Sequence, residues 1–177
     1  MFKNITKFIL VFISSLSFAQ TGHLVIATIH GNNIKQAIDR VRNMFPADAR
    51  SQTLIELSGI LKGVVAQRLL RNQKGVRVPA LEIMTGTPEV SEIIQRGKLD
   101  QLRKVIETSE AAGMQTFDQA LYLLWKAKEI TREDALHFAE SRTDLSLKMR
   151  LGNQNIASDV MKVKTDDPNK GRFQSKF

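Results

Sequence analysis

The residues whose side chains are best suited to catalysis or ligand binding lie in one short segment that contains His23, Thr28 and His30. The segment reads as an apolar strand, and Thr28 and His30, two residues apart, then point to the same side at its carboxyl end. Doubly wound sheets bind their ligands at that end of the strands. A hydroxyl and an imidazole there could contact a phosphate or a polarised water. The alternative is that His30 only caps the loop or the next helix.

The other histidines add little to this candidate site. On an ideal strand, His23 lies about 23 Å from His30 and on the opposite face. The two rings therefore cannot grip one small ligand unless the backbone bends or two subunits meet. His137 lies on an amphipathic helix, where a surface or packing role is the common one.

Composition and missing motifs exclude several classes of protein. The 177 residues contain no Cys, which excludes disulfides, thiolate metal sites and a Cys nucleophile. They contain no G-x-x-x-x-G-K-[ST] loop, no G-x-S-x-G and no H-E-x-x-H. The net charge of +8 permits an anionic partner. The basic residues are scattered, however, and the aromatic side chains fall at helical spacing, so nucleic acid is not the expected partner.

The first half of the chain predicts an α/β unit. The run His23–Ile29 is apolar and β-branched, which is typical of a strand buried on both faces. A helix follows from Ile34 to Phe45, capped by Asn32 or Asn33 and stopped by Pro46. A second helix is expected over 47–61. The runs 64–71 and 76–84 predict two strands joined by a tight turn, the second with an edge position or a bulge at Pro79.

The second half predicts short helices. Thr87 followed by Pro88 is a cap with proline at the first helical position. Thr116 with Gln119 forms a capping box, and Thr131 begins a second similar motif. Periodicity ends near residue 152, and the polar stretch 152–177 is predicted to be a disordered tail.

The first twenty residues resemble a secretory signal peptide. Lys3 and Lys7 precede an apolar run, and 17–19 fits a small-x-small cleavage site. The run is shorter than the ~20 residues that span a bilayer. The alternative is a cytosolic chain whose first element happens to be apolar.

Six motifs in order resemble the PilT/PilU family of type IV pilus retraction ATPases, part of the type II secretion system protein E family. The segment around the two histidines resembles the histidine box of that family. The motifs are TGHLVIATIHGNN (21–33), IDRVRNMFP (38–46), LKGVVAQRLLR (61–71), RVPALEIMTGTP (77–88), GMQTFDQAL (113–121) and DLSLKMRL (144–151).

Two positions depart from the pattern of the family. Where the retraction motif has Ala-Ile-Arg, this chain has Glu89-Val90-Ser91, which makes it resemble the PilU branch. Gly31 replaces the commoner Thr or Ala after the second histidine, so the geometry of that loop can differ from the pattern.

The resemblance implies a role for each candidate residue. The family forms hexameric rings that bind ATP and Mg²⁺ between subunits and power twitching motility. His30 would then sense the γ-phosphate, while Thr28 and Arg68 would lie beside the nucleotide. His23 would belong to the same histidine box, and Arg40 would be structural or lie at a subunit interface.

The resemblance also implies an organisation for the chain. Residues 1–14 look foreign, 15–86 resemble the C-terminal part of a RecA-like ATPase core, and 87–151 resemble its helical C-terminal subdomain. The fold class is thus α/β, a partial RecA-like sheet domain followed by helices. We expect a truncated motor without a phosphate-binding loop, which binds ATP and Mg²⁺ poorly and does not hydrolyse ATP alone.

The expected partners are copies of itself in a homo-hexamer or an intact PilT-type motor, together with the inner-membrane pilus platform. The expected location is the cytoplasmic base of the pilus. The alternatives are a non-enzymatic partner of intact motor rings, or a small exported α/β protein that keeps its signal peptide.

Overall fold

The computed structural model of the chain describes residues 14–152. The predicted foreign segment and polar tail lie outside these residues, apart from Ser14 and Gly152. Helical residues 14–20 (α1) are followed by α2 (Ile34–Asn43), α3 (Arg50–Ile60), β1 (Gly63–Arg71), β2 (Arg77–Thr85), α4 (Pro88–Gln95), α5 (Leu102–Thr108), α6 (Phe117–Lys126), α7 (Arg132–Phe138) and helical residues 142–152 (α8). Short 3-10 turns lie at Leu99–Gln101 and Glu110–Ala112.

Four of the described helices, α2, α4, α6 and α7, begin at predicted caps. Asn33 is the cap of α2, and its side chain accepts a hydrogen bond from the Gln36 amide at 2.9 Å. Thr87 caps α4 with Pro88 in the first turn, and Thr131 caps α7. Thr116 caps α6 through a full capping box. These local signals were sufficient because each cap bonds amides only two or three positions away.

The predicted hairpin is confirmed. Strands β1 and β2 pair antiparallel from Gly63 opposite Thr85 to Arg71 opposite Arg77. The Asn72 side chain accepts hydrogen bonds from the amides of Lys74 and Val76 and so closes the turn. Gly75 supplies the positive φ of 78° that the turn requires.

The prediction of a buried strand over 23–29 is wrong. The segment forms no strand, and most of its residues are exposed, with Leu24 at 82% and Ile26 at 87%. A strand requires the hydrogen-bonding groups of a neighbour, and within residues 14–152 the only sheet is the hairpin. The apolar composition of the run was therefore not sufficient to form a strand.

The core has two parts. In the first, α2 and α3 pack with α4 and α5 around Ile34, Leu54, Ile94 and Ile106. In the second, α6, α7 and α8 pack against the turn end of the hairpin, where Leu70 and Phe117 are buried. The helices after residue 86 thus belong to both parts, and the predicted domain boundary there stays a prediction.

One face of the hairpin packs on this core, and the other is exposed. Alternation along β1 leaves Leu70 only 1% exposed, while Val65 and Leu69 are 64% and 53% exposed. None of the helices in the described residues is long and apolar enough to cross a membrane.

Candidate functional site

The loop His30–Asn33, called the His30 loop below, connects the histidine segment to α2 and is held from both sides. The Arg40 guanidinium, from α2, donates a hydrogen bond to the His30 carbonyl at 2.7 Å. From β1, Arg68 donates to the Asn32 carbonyl through Nε at 3.1 Å and Nη2 at 3.0 Å. The backbone of the loop is therefore fixed at the carbonyls of His30 and Asn32, each by a different arginine.

Arg68 has four hydrogen bonds, all to groups of the chain itself. Besides the two to Asn32, Nη1 donates to the Phe138 carbonyl at 3.1 Å and Nη2 donates to Glu140 Oε1 at 3.0 Å. Its Cζ atom also lies 4.0 Å from the centroid of the Phe117 ring. A guanidinium has five N–H donors, so Arg68 has little capacity left for a phosphate.

The start of α2 rests on Glu82, a carboxylate on the inner face of β2. Glu82 is 3% exposed, and its Oε2 accepts a hydrogen bond from the Ile34 amide at 2.8 Å. Burial raises the pKa of Glu82, and the hydrogen bond from Ile34 opposes that shift. The positive end of the helix dipole also favours a negative charge at this position.

Glu140 brings the C-terminal helices to the same loop. Its Oε1 accepts from Asn33 Nδ2 as well as from Arg68, both at 3.0 Å. The Glu140 amide donates to Asp118 Oδ1 at 2.8 Å. Asp118 in turn accepts from Arg103 at 2.7 Å, and Arg103 Nη1 also lies 3.9 Å from Glu140 Oε2, so two arginines and two carboxylates form one network.

The predicted site residues are only partly brought together. The side chains of Thr28 and His30 are exposed, and neither forms a side-chain hydrogen bond within the described part of the chain. His23 lies apart: its Nδ1 is 2.9 Å from the Thr21 hydroxyl, and its ring contacts Phe18 edge-on. Arg40 and Arg68 contact the backbone of the His30 loop. Their predicted roles at an interface and at the nucleotide stay predictions.

The exposed side chains of Thr28 and His30 are chemically able to contact a phosphate, whereas residues 14–152 do not supply a Mg²⁺ site. Thr28 and His30 offer a hydroxyl and an imidazole that are available to a phosphate oxygen. Magnesium requires an octahedral set of oxygen ligands, commonly with one or two carboxylates. Among residues 14–152, no group of three or more His, Asp or Glu side chains is arranged to hold a metal ion.

Sequence reasoning missed Glu82, Glu140 and Asp118. A signal for Glu82 was present in the sequence, because it falls on the inward-facing positions of β2 between Ala80 and Met84. An ionisable residue at such a position needs a partner. Glu140 and Asp118 carry no such signal, because their partners are distant in the sequence.

The comparisons with known proteins identify the family. Residues 13–99 match the family model described as type II/IV secretion system protein. The chain is 40% identical over 169 residues to the type IV pilus ATPase PilU of Pseudomonas aeruginosa, which covers 90% of this chain and 44% of that protein. It is also 40% identical over 121 residues to the pilus retraction ATPase PilT of the same organism, which covers 68% of this chain and 35% of that protein.

A solved structure agrees with the sequence comparisons. The fold is similar to a crystal structure of the pilus retraction motor PilT with bound ADP, with a TM-score of 0.66 and 35% identity over 75% of this chain and 37% of that one. This similarity confirms the prediction of a partial RecA-like α/β fold. The chain spans less than half the length of these relatives. It belongs to the type II/IV secretion system protein family, in the branch of the pilus ATPases PilT and PilU.

Proposed function

We propose that this chain contributes the histidine-box part of a PilU-type ATPase that drives pilus retraction and twitching motility. The observation that carries the proposal is the 40% identity to PilU across 90% of the chain. The geometry supports it, because the loop with His30 is held by two arginines while the imidazole itself stays exposed. A loop with a fixed backbone and an exposed imidazole is suited to contact a bound ligand.

In this proposal, His30 contacts the γ-phosphate region and Thr28 lies beside the nucleotide. A neutral or protonated imidazole donates a hydrogen bond to a phosphate oxygen, and a change at that phosphate then changes the contact. His23 serves a contact between subunits, consistent with its separate position near Phe18. Arg40 holds the backbone of the loop at such an interface.

We further propose that the chain acts in an assembly, either as a homo-hexamer or together with an intact PilT-type motor at the inner-membrane pilus platform. Exposed apolar side chains support this part of the proposal. Leu24, Ile26 and Val65 are each more than 60% exposed, although Leu, Ile and Val are among the residues most often buried in folded proteins. The cytoplasmic location follows from the same proposal, because ATP is supplied there.

The 177 residues are proposed not to hydrolyse ATP by themselves. Phosphoryl transfer requires a backbone cradle, a lysine and a metal to stabilise the developing charge. A G-x-x-x-x-G-K-[ST] motif does not occur in this sequence.

The test combines hydrolysis with assembly. The purified chain is assayed for phosphate release with Mg²⁺-ATP, alone and mixed with an intact PilT-type motor. We expect no release by the chain alone and a changed rate in the mixture. His30→Ala should abolish that change, whereas His137→Ala, on the exposed part of α7, should preserve it. Hydrolysis by the pure chain that is lost in His30→Ala would contradict the proposed inactivity. An unaltered rate in the mixture would contradict the assembly.

A further inference from the structure

We infer that Glu140, acting with Arg68, is a positioning residue that ties the His30 loop to the helices α6, α7 and α8. This role requires no contact between either residue and a nucleotide. The significance of the tie for ATP chemistry rests on the proposed function, but the tie itself does not.

One carboxylate oxygen of Glu140 holds two parts of the loop. Glu140 Oε1 accepts from Asn33 Nδ2, the cap of α2, and from Arg68 Nη2, which also holds the Asn32 carbonyl. Loss of the carboxylate therefore removes one bond to the loop directly. It also removes one of the four bonds that hold the Arg68 guanidinium, which itself makes two more bonds to the loop.

The ion pair between Glu140 and Arg68 is largely buried. The side chains of Glu140 and Arg68 are only 17% and 25% exposed. A charged pair with so little exposure to solvent is costly to break, because water does not replace the lost partner. The exposed pair between Arg96 and Glu92, with side chains 61% and 56% exposed, lacks this constraint.

Glu140 is itself anchored in the C-terminal helices. Its amide donates to Asp118 on α6, and Asp118 also accepts from the Ser141 amide that precedes α8. Arg68 adds a bond to the Phe138 carbonyl at the end of α7. A displacement of these helices therefore moves the carboxylate and, with it, the acceptor of the loop.

Arg68 is consequently better explained as part of this tie than as a phosphate ligand. Its four hydrogen bonds all end on the chain, and its flat face lies on the Phe117 ring. One N–H of Nη1 is left over, so a phosphate could accept only a single bond from Arg68 without displacing these four. The arrangement transmits the state of the loop to the helices without any contact between Arg68 and a ligand.

Hydrogen–deuterium exchange on the full chain tests the inference without a nucleotide. The reporter peptide spans residues 30–37, which contain the capping amides of Ile34 and Gln36. In Glu140→Ala we expect exchange in this peptide to accelerate about tenfold, while β1 and β2 change less than about twofold. Glu140→Gln keeps an acceptor oxygen and should restore part of the protection. The control Glu92→Gln removes a surface pair and should change neither region.

Unchanged exchange at 30–37 in Glu140→Ala would overturn the inference. So would an equal acceleration in the hairpin, because that pattern indicates a global loss of stability. If the Ala variant does not fold, the Gln variant decides by the same comparison, and failure of both to fold also counts against a local role. Because the measurement contains no ATP and no motor, its outcome is independent of the outcome of the hydrolysis test.

Discussion

The buried carboxylate of Glu82 accepts a hydrogen bond from the Ile34 amide at 2.8 Å, so a residue of β2 binds the start of a helix 48 positions earlier. Burial raises the pKa of Glu82 from the ordinary value of 4.5, and the negative charge of Glu140 adds to the rise. The Ile34 amide, Arg68 and Arg103 act in the opposite direction. The net shift in the pKa of Glu82 determines how this residue makes the stability of the fold depend on pH.

The first prediction concerns that pH dependence. A carboxyl group with a raised folded pKa holds its proton more tightly in the native state than in the unfolded chain. The contribution of Glu82 to the free energy of unfolding is therefore greatest below pH 4.5 and declines as pH rises through the folded pKa. In Glu82→Gln, which stays neutral, this decline should disappear.

Urea unfolding between pH 4 and 8 provides the measurement. The unfolding free energy of the parent chain minus that of Glu82→Gln should fall as pH rises. Glu92→Gln, at a side chain 56% exposed, controls for the simple loss of a carboxylate and should show no such fall. A difference that grows with pH would show that the hydrogen bond and the arginines outweigh burial.

The second prediction compares two aspartates. Asp118 accepts from Arg103 and from the amides of Glu140 and Ser141, and its side chain is 13% exposed. Asp118→Ala should lower the free energy of unfolding by about 3 kcal/mol, because three partly buried donors lose their acceptor. Asp100, which pairs with Lys35, is 86% exposed, and Asp100→Ala should cause no measurable change. Equal effects in urea denaturation would show that the network around Asp118 contributes little.

The third prediction compares two neighbouring leucines on β1. Leu70 is 1% exposed in the second part of the core, whereas Leu69 is 53% exposed on the outer face of the hairpin. Leu70→Ala should cost about 3 kcal/mol through the cavity it leaves, and Leu69→Ala about 0.5 kcal/mol. Sedimentation velocity on Leu69→Ala should also show less self-association, because an exposed apolar side chain is lost. A larger loss of stability for Leu69→Ala would contradict the observed register.

The fourth prediction ranks two helix caps. Thr116 is 3% exposed, its hydroxyl accepts from the Gln119 amide at 3.2 Å, and the Gln119 side chain accepts from the Thr116 amide in return. The bond from Val90 to Thr87 is longer, at 3.4 Å. Thr116→Ala should therefore destabilise the chain by about 1.5 kcal/mol and Thr87→Ala by about 0.5 kcal/mol in thermal unfolding. The reverse order would show that the capping box is not the stronger cap.

Much of the fold could be predicted because its signals are local. The hairpin over 63–85 and the caps at Asn33, Thr116 and Thr131 depend on residues a few positions apart. Local signals could not predict whether residues 23–29 form a strand. Whether an apolar run pairs depends on a neighbouring strand, and composition contains no information about that neighbour.

The sequence by itself determined the family, the helix starts, the hairpin and the candidate pair Thr28 and His30, because motif order and hydrogen-bond caps are properties of consecutive residues. Only the tertiary structure decided where Arg68 makes its bonds and that Glu82 and Glu140 meet the start of α2. These contacts join positions 36 to 107 residues apart. A charged side chain is satisfied by whichever opposite group the fold brings within about 3 Å, and that choice is made by packing rather than by spacing along the chain.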